Sequence, residues 1–143
     1  MAGRLTVTGQ PSYSGRSSLE EGLPLEPCRI TVQDHASGLP VIQVTGYLAK
    51  EGGTALLACI KGLLAAGRKK LLIDFAACSL VSSPGVAALL ECLCLTQEDH
   101  RGTCVLVNLD EPKRRFLTMT GILPLAPEAP SVEEALALAG VKA

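Results

Sequence analysis

The sequence lacks tryptophan and has only two phenylalanines and two tyrosines in 143 residues. Its formal net charge is −1. Nucleic bases would have few rings to stack on, and phosphate backbones no basic surface to meet, so nucleic-acid binding is not expected. No apolar run of ~18 residues is present, which argues against membrane insertion. The opening MAGRLTVTG lacks the apolar middle of a signal peptide. Together these absences imply a cytoplasmic protein.

Catalytic equipment is equally thin. There is no G-x-x-x-x-G-K-[ST] loop and no G-x-G-x-x-G after a strand, so nucleotide binding by either device is unsupported. The nearest glycine-rich point, Gly52-Gly53-Thr54, has no lysine in the required place. No G-x-S-x-G elbow occurs. The only histidines are His35 and His100. At ~1.5 Å per residue, His100 should lie on the order of 20 Å from Ser83 along a helix. Six cysteines (Cys28, Cys59, Cys78, Cys92, Cys94 and Cys104) form no C-x-x-C pair, and most lie in apolar runs. They read as reduced thiols acting as small hydrophobes, with no metal or other cofactor implied. Lys113-Arg114-Arg115 reads as a solvated helix face.

About half the residues are hydrophobic, and with aromatics scarce the core must come from Leu, Val, Ile and Ala. Residues 1–25, rich in Ser and Gly, read as a flexible tail in which LTVT (5–8) could pair as an edge strand. Residues 26–143 read as one domain. RITVQD alternates as a half-buried strand does, and ASGLP turns the chain into VIQVTGYL, an antiparallel partner. A helix through GGTALLACIKGLLAAG ends at Gly67. KKLLIDFAA and GTCVLVNL are continuous apolar strands, the mark of cover on both faces. Between them, the apolar run before Ser82-Ser83 reads as a strand and the stretch from Pro84 to about Asp99 as a helix. Asp110 can cap a helix that Gly121 ends, and Ser131-Val132-Glu133-Glu134 has the S-x-x-E form of a capping box. The prolines of ILPLAPEAP suit only a short edge strand. The order β-β-α-β-α-β-α-(β)-α predicts an α/β fold: a mixed, mostly parallel sheet of four to five strands with about four helices.

Two positions invite a chemical reading. Asp74 ends a buried strand, where it could orient a hydroxyl or assist metal-dependent phosphoryl transfer; hydrogen bonding to loop amides is the simpler role. SLVSSPGVAALL raises the second question. Ser83 as N-cap and Pro84 as first helical residue would account for the string structurally. The helix that follows is apolar on nearly every face, with Glu91 its only charge before Glu98. Either it is unusually enclosed or it keeps an apolar strip for a partner.

With VTGYL, LLIDF, CSLVSSPGVAALL, RRFLTMTGIL and PSVEEALAL in this order, the chain from about residue 28 to 140 resembles the STAS domain of bacterial anti-sigma factor antagonists. The resemblance sets Ser83 on the family's phosphorylated serine and Gly85 on its glycine. Ser82 replaces the acidic residue before it, Pro84 follows it, Ala87 replaces a second glycine, and Ala49 stands where Asp is usual. The implied function is a non-catalytic regulatory module: an anti-sigma factor antagonist that phosphorylation of Ser83, or of Ser82 as fallback, switches off. The implied partner is an anti-sigma factor with serine-kinase activity, with a serine phosphatase as a further candidate. The implied contact surface comprises Ser82, Ser83, Pro84, Gly85, Val86, Ala87 and Ala88. A phosphorylation-independent STAS adaptor in a transport or lipid-handling complex is the alternative, and a homodimer through the apolar helix stays open. An enzyme would need a base or metal near Ser83, for which only Asp74 offers itself.

Overall fold

Alternation within the strands decides the architecture. In β4 (Lys70–Asp74) Leu71 and Ile73 enter one apolar cluster while Leu72 enters another. In β6 (Thr103–Val107) Cys104 and Leu106 divide from Val105 and Val107 in the same way. These two strands are therefore covered on both faces, which is why they read as unbroken apolar runs. The computed structural model describes residues 4–8 and 27–140.

The larger cluster lies beneath α1 (Lys50–Ala65), α2 (Ser83–Leu93) and α3 (Glu111–Met119), through residues such as Leu56, Ile60, Leu89, Leu93 and Leu117. The smaller lies beneath α4 (Val132–Leu138), through Ala135 and Leu136. In β2 (Arg29–Asp34) Ile30 and Val32 face the large core while Gln33 is exposed. β2 pairs antiparallel with β3 (Pro40–Leu48), as the hairpin reading expects.

The sheet runs β1-β2-β3-β4-β6-β7, where β1 is Arg4–Thr8, antiparallel to β2, and β7 is the two-residue edge strand Glu128–Ala129, parallel to β6. The fold class is as expected, and among the described residues there are the expected four α-helices but seven sheet strands rather than four or five. One addition is β1, in the stretch expected to be a flexible tail; residues 1–3 and 9–25 of that stretch lie outside the described residues. The other is β5 (Cys78–Val81): the apolar run before Ser82-Ser83 is a strand, as it reads, but one that the expected order does not count, and it pairs with β3 rather than with β4. β3 is nine residues long and serves two neighbours: Val41–Gln43 pair with β4, and after a register shift at Gly46/Tyr47 the end of the strand pairs with β5. Gly46 has φ +85° at this shift, a conformation that glycine adopts without strain.

Candidate functional site: the β5–α2 junction

The junction is assembled from the turn that separates β4 from β5. Asp74 is buried, and its Oδ1 accepts from the Ala76 amide at 2.9 Å and from Asn108 Nδ2 at 2.9 Å. The Cys78 amide donates to Phe75 O at 3.0 Å. These bonds step the chain sideways, so that β5 joins the far end of β3 and delivers Ser82 to the carbonyl of Leu48, the last residue of β3. Asp74 thus hydrogen-bonds loop amides, and none of its bonds reaches the serines.

The two serines are used differently, and the expected N-cap is displaced by one residue. Ser82, not Ser83, is the N-cap: its backbone is extended (φ −92°, ψ 173°) and its Oγ accepts from the Gly85 amide at 3.2 Å. The same hydroxyl donates to Leu48 O at 3.2 Å, and the Ser82 amide donates to it at 2.9 Å. One residue later the chain is helical, so Ser83 sits at N1 and Pro84 at N2, where a missing N–H costs nothing. Ser83 is exposed, and its hydroxyl makes no hydrogen bond among the described residues. Capping selects the earlier serine because only its oxygen lies before the first turn, facing the free amides.

Gly85 is buried. A Cβ there would stand 2.4 Å from Leu48 O, so its small size is required by close approach to the chain's own β3. The resemblance-based contact set therefore divides. Ser83, Pro84 and Ala87 are exposed; Ser82, Val86 and Ala88 are half-buried; Gly85 offers no surface. Ala88 faces α1, where a Cβ on Gly53 would meet its own Cβ at 2.6 Å. This tight helix–helix approach explains the apolar character of that side of α2.

On the outer side Leu90 is 41 % exposed and continues the strip of Ser83 and Ala87 at i, i+4, i+7 spacing. Leu80 on β5 is 48 % exposed. Neither stands in the contact surface that the resemblance implies; helical spacing from Ser83 picks out Leu90, whereas the exposure of Leu80 depends on how β5 pairs. The first turn of α2 carries no acidic residue, so nothing in it offsets the partial positive charge of the helix N-terminus. The α2 helix continues into a wide π segment, Cys94–Asp99, where His100 N donates to Leu95 O.

Other singled-out residues lie elsewhere. His35 sits in the β2–β3 turn with Nδ1 3.0 Å from Ser37 Oγ, and His100 lies at the opposite end of the α2 segment from Ser83. The basic triplet is a solvated face only in part: Arg115 is exposed and Arg114, bridging Glu128 and Glu111, is half-buried, but Lys113 is buried and bonded to Asp110. Asp110 caps α3 through the Lys113 amide, and its carboxyl is held below the ordinary range mainly by its hydrogen bonds from Lys113. Five cysteines are buried and Cys94 is half-buried, all with free thiols. Burial pushes Cys28 and Cys59 up to about 11 and Cys92 up to about 12. Among the described residues no group of three or more His, Cys, Asp or Glu could hold a metal ion, and no helix is long and apolar enough to cross a membrane.

Residues 30–135 match the STAS domain family, and the chain belongs to it. Its fold is similar to that of an anti-sigma factor antagonist from Mycobacterium paratuberculosis, with a TM-score of 0.68 at 24 % identity over 78 % of this chain and 92 % of that one. It is also similar to the phosphorylated form of the Bacillus cell fate determinant SpoIIAA, with a TM-score of 0.59 at 22 % identity over 76 % and 97 % of the two chains. The murine Solute Carrier 26 family member A9 anion transporter shares the fold, with a TM-score of 0.62 at 15 % identity, but 98 % of this chain corresponds to only 22 % of the transporter. No curated protein sequence matches the chain significantly.

Proposed function

We propose that this STAS domain is a non-catalytic anti-sigma factor antagonist whose binding surface is switched by phosphorylation of Ser83. The observation that carries the reading is the division of labour at the junction: Ser82 holds the helix start, while Ser83, one residue on, is exposed at the head of the Ala87–Leu90 strip. A hydroxyl used as a cap cannot be modified without loosening the helix; a free one at N1 can.

The donor is ATP held by a partner anti-sigma factor with serine-kinase activity. The γ-phosphoryl group passes to Ser83 Oγ, the hydroxyl proton leaves, and ADP is released; a serine phosphatase restores the hydroxyl by hydrolysis. The phosphate adds about −1.5 to −2 charges at pH 7. At N1 that charge meets a helix N-terminus that tolerates it, worth about 0.3–1 kcal/mol in an exposed setting. A partner covering Ala87 and Leu90 would instead have to bury it. The fold survives and the complex does not.

The test is phosphosite mapping by mass spectrometry on protein isolated from its own cells, growing and stressed, with the partner identified by co-purification. Phosphate at Ser83 with condition-dependent occupancy is expected. Ser83→Asp should weaken partner binding with the fold intact, and Ser83→Ala should bind without being released. Consistent absence of phosphate with both serines covered, or equal partner affinity for the two variants and wild type, would overturn the switch in favour of a constitutive adaptor.

A further inference from the structure

The edge strand β1 lies outside the residues that match the STAS family. Its sequence, RLTVT, nearly repeats RITVQ, the first five residues of β2. Arginine, threonine and valine recur at the same places, and leucine stands for isoleucine. The pairing gives this repeat a physical meaning. β1 runs antiparallel to β2, with Arg4 opposite Gln33, Leu5 opposite Val32, Thr6 opposite Thr31, Val7 opposite Ile30 and Thr8 opposite Arg29. Exchanging each β1 residue for its β2 counterpart sets Arg29 opposite Gln33, Ile30 opposite Val32, and Thr31 opposite Thr31 of the second strand. That is β2 paired with another β2 about a two-fold axis through Thr31. β1 therefore holds the edge in the register that a second copy of this chain would take.

The edge suits such a copy. An axis perpendicular to the sheet keeps Ile30 and Val32 of both copies on the side of the large core, where both are buried. On the other side Thr31 meets Thr31, a favourable cross-strand pair, and exposed Arg29 meets exposed Gln33 with no like charges opposed. β2 carries no proline to blunt its edge, and a bare edge of this kind is a template for another strand.

The connection decides which strand occupies it. Thr8 and Arg29 stand directly opposite one another, so a hairpin loop of about two to five residues would join the strands. Residues 9–28 join them instead. A connection of that length does not impose the pairing as a tight turn does, so β1 can leave without distorting β2. It still holds β1 at a local concentration on the order of millimolar, enough to outcompete a dilute second copy. We propose that the β2 edge is a homodimer interface joining two sheets across Thr31, and that β1 is its built-in competitor, keeping the chain monomeric until β1 is displaced.

The test is sedimentation of the full chain over a dilution series, wild type against Leu5→Asp/Val7→Asp, which sets carboxylates opposite Val32 and Ile30. Wild type is expected to be monomeric at micromolar concentrations. The variant should double in mass, with an apparent Kd at least about tenfold below that of wild type. Adding Thr31→Glu, at a half-buried position outside the core, opposes two carboxylates on the axis and should return the variant to monomer. Excess peptide of residues 1–10 should do the same. Leu5→Pro/Thr6→Pro is the second route to a bare edge should the first variant not fold, because adjacent amides point to opposite edges and one of the two must face β2. Variants that all stay monomeric, or a wild type as dimeric as they are, would overturn the proposal. A dimer that Thr31→Glu leaves intact would also overturn it, by assigning the contact to another surface such as α2. None of these outcomes bears on Ser83.

Discussion

Replacing Gly85 by alanine separates two physical effects of opposite sign. Within a helix, alanine is favoured over glycine by about 1 kcal/mol, so propensity alone predicts a more stable protein. At this position the new Cβ would stand 2.4 Å from Leu48 O and 3.2 Å from Leu48 C. Backbone at the end of a paired strand cannot swing aside as a side chain could. To restore ordinary separation the start of α2 must retreat by about 1 Å. The retreat stretches the Ser82 N and Ser82 Oγ bonds to that same carbonyl, which now stand at 2.9 and 3.2 Å. Losing both costs about 2 kcal/mol, and the disturbed cap adds about 1 kcal/mol. After the propensity gain the net loss is about 2 kcal/mol, or roughly 6 °C in Tm for a domain of this size. Gly62→Ala is the control: it lies inside α1 with open space where its Cβ would go, and should stabilise by about 0.5–1 kcal/mol. Urea and thermal unfolding measure both. A Gly85→Ala protein as stable as wild type, or more so, would refute the account of how β3 seats the helix.

Three further outcomes follow from the same geometry. Ser82→Ala should lower stability by about 2 kcal/mol through loss of the cap and of the hydroxyl's bond to Leu48 O, whereas Ser83→Ala should leave the urea midpoint nearly unchanged; equal effects would contradict the assignment of the cap. Asp110 has its folded-state pKa lowered from 3.8, so its contribution to stability is present above that value and lost as pH falls through the lowered one. Lys113→Met removes the largest cause and should flatten the urea midpoint's pH dependence in that acidic window; an unchanged pH profile would count against the Lys113–Asp110 pair. Thiols whose pKa burial has raised remain protonated at pH 8, so a thiol-reactive dye should label Cys94 in the native protein and the five buried cysteines only on unfolding, as peptide mapping would show.

Periodicity alone determined much of the architecture. The unbroken runs around Leu71–Ile73 and Val105–Val107 could only be strands covered on both sides. Alternation in 29–34 could only be a half-covered strand, and the caps at Asp110 and Ser131 with the stops at Gly67 and Gly121 follow from local chemistry that each segment carries within itself. What tertiary structure decided is everything that depends on a distant partner. β5 exists because nine-residue β3 outruns β4 and offers Gly46–Leu48 to a second neighbour. Lys113 is buried although it sits in a charged stretch with Glu111, Arg114 and Arg115. The two adjacent serines have the same capping propensity, and their separate roles come from Leu48 O, 34 residues before Ser82, which fixes where the helix begins. A hydrogen bond across that separation leaves no mark in the local sequence, yet it determines which hydroxyl is tied down and which is exposed to solvent.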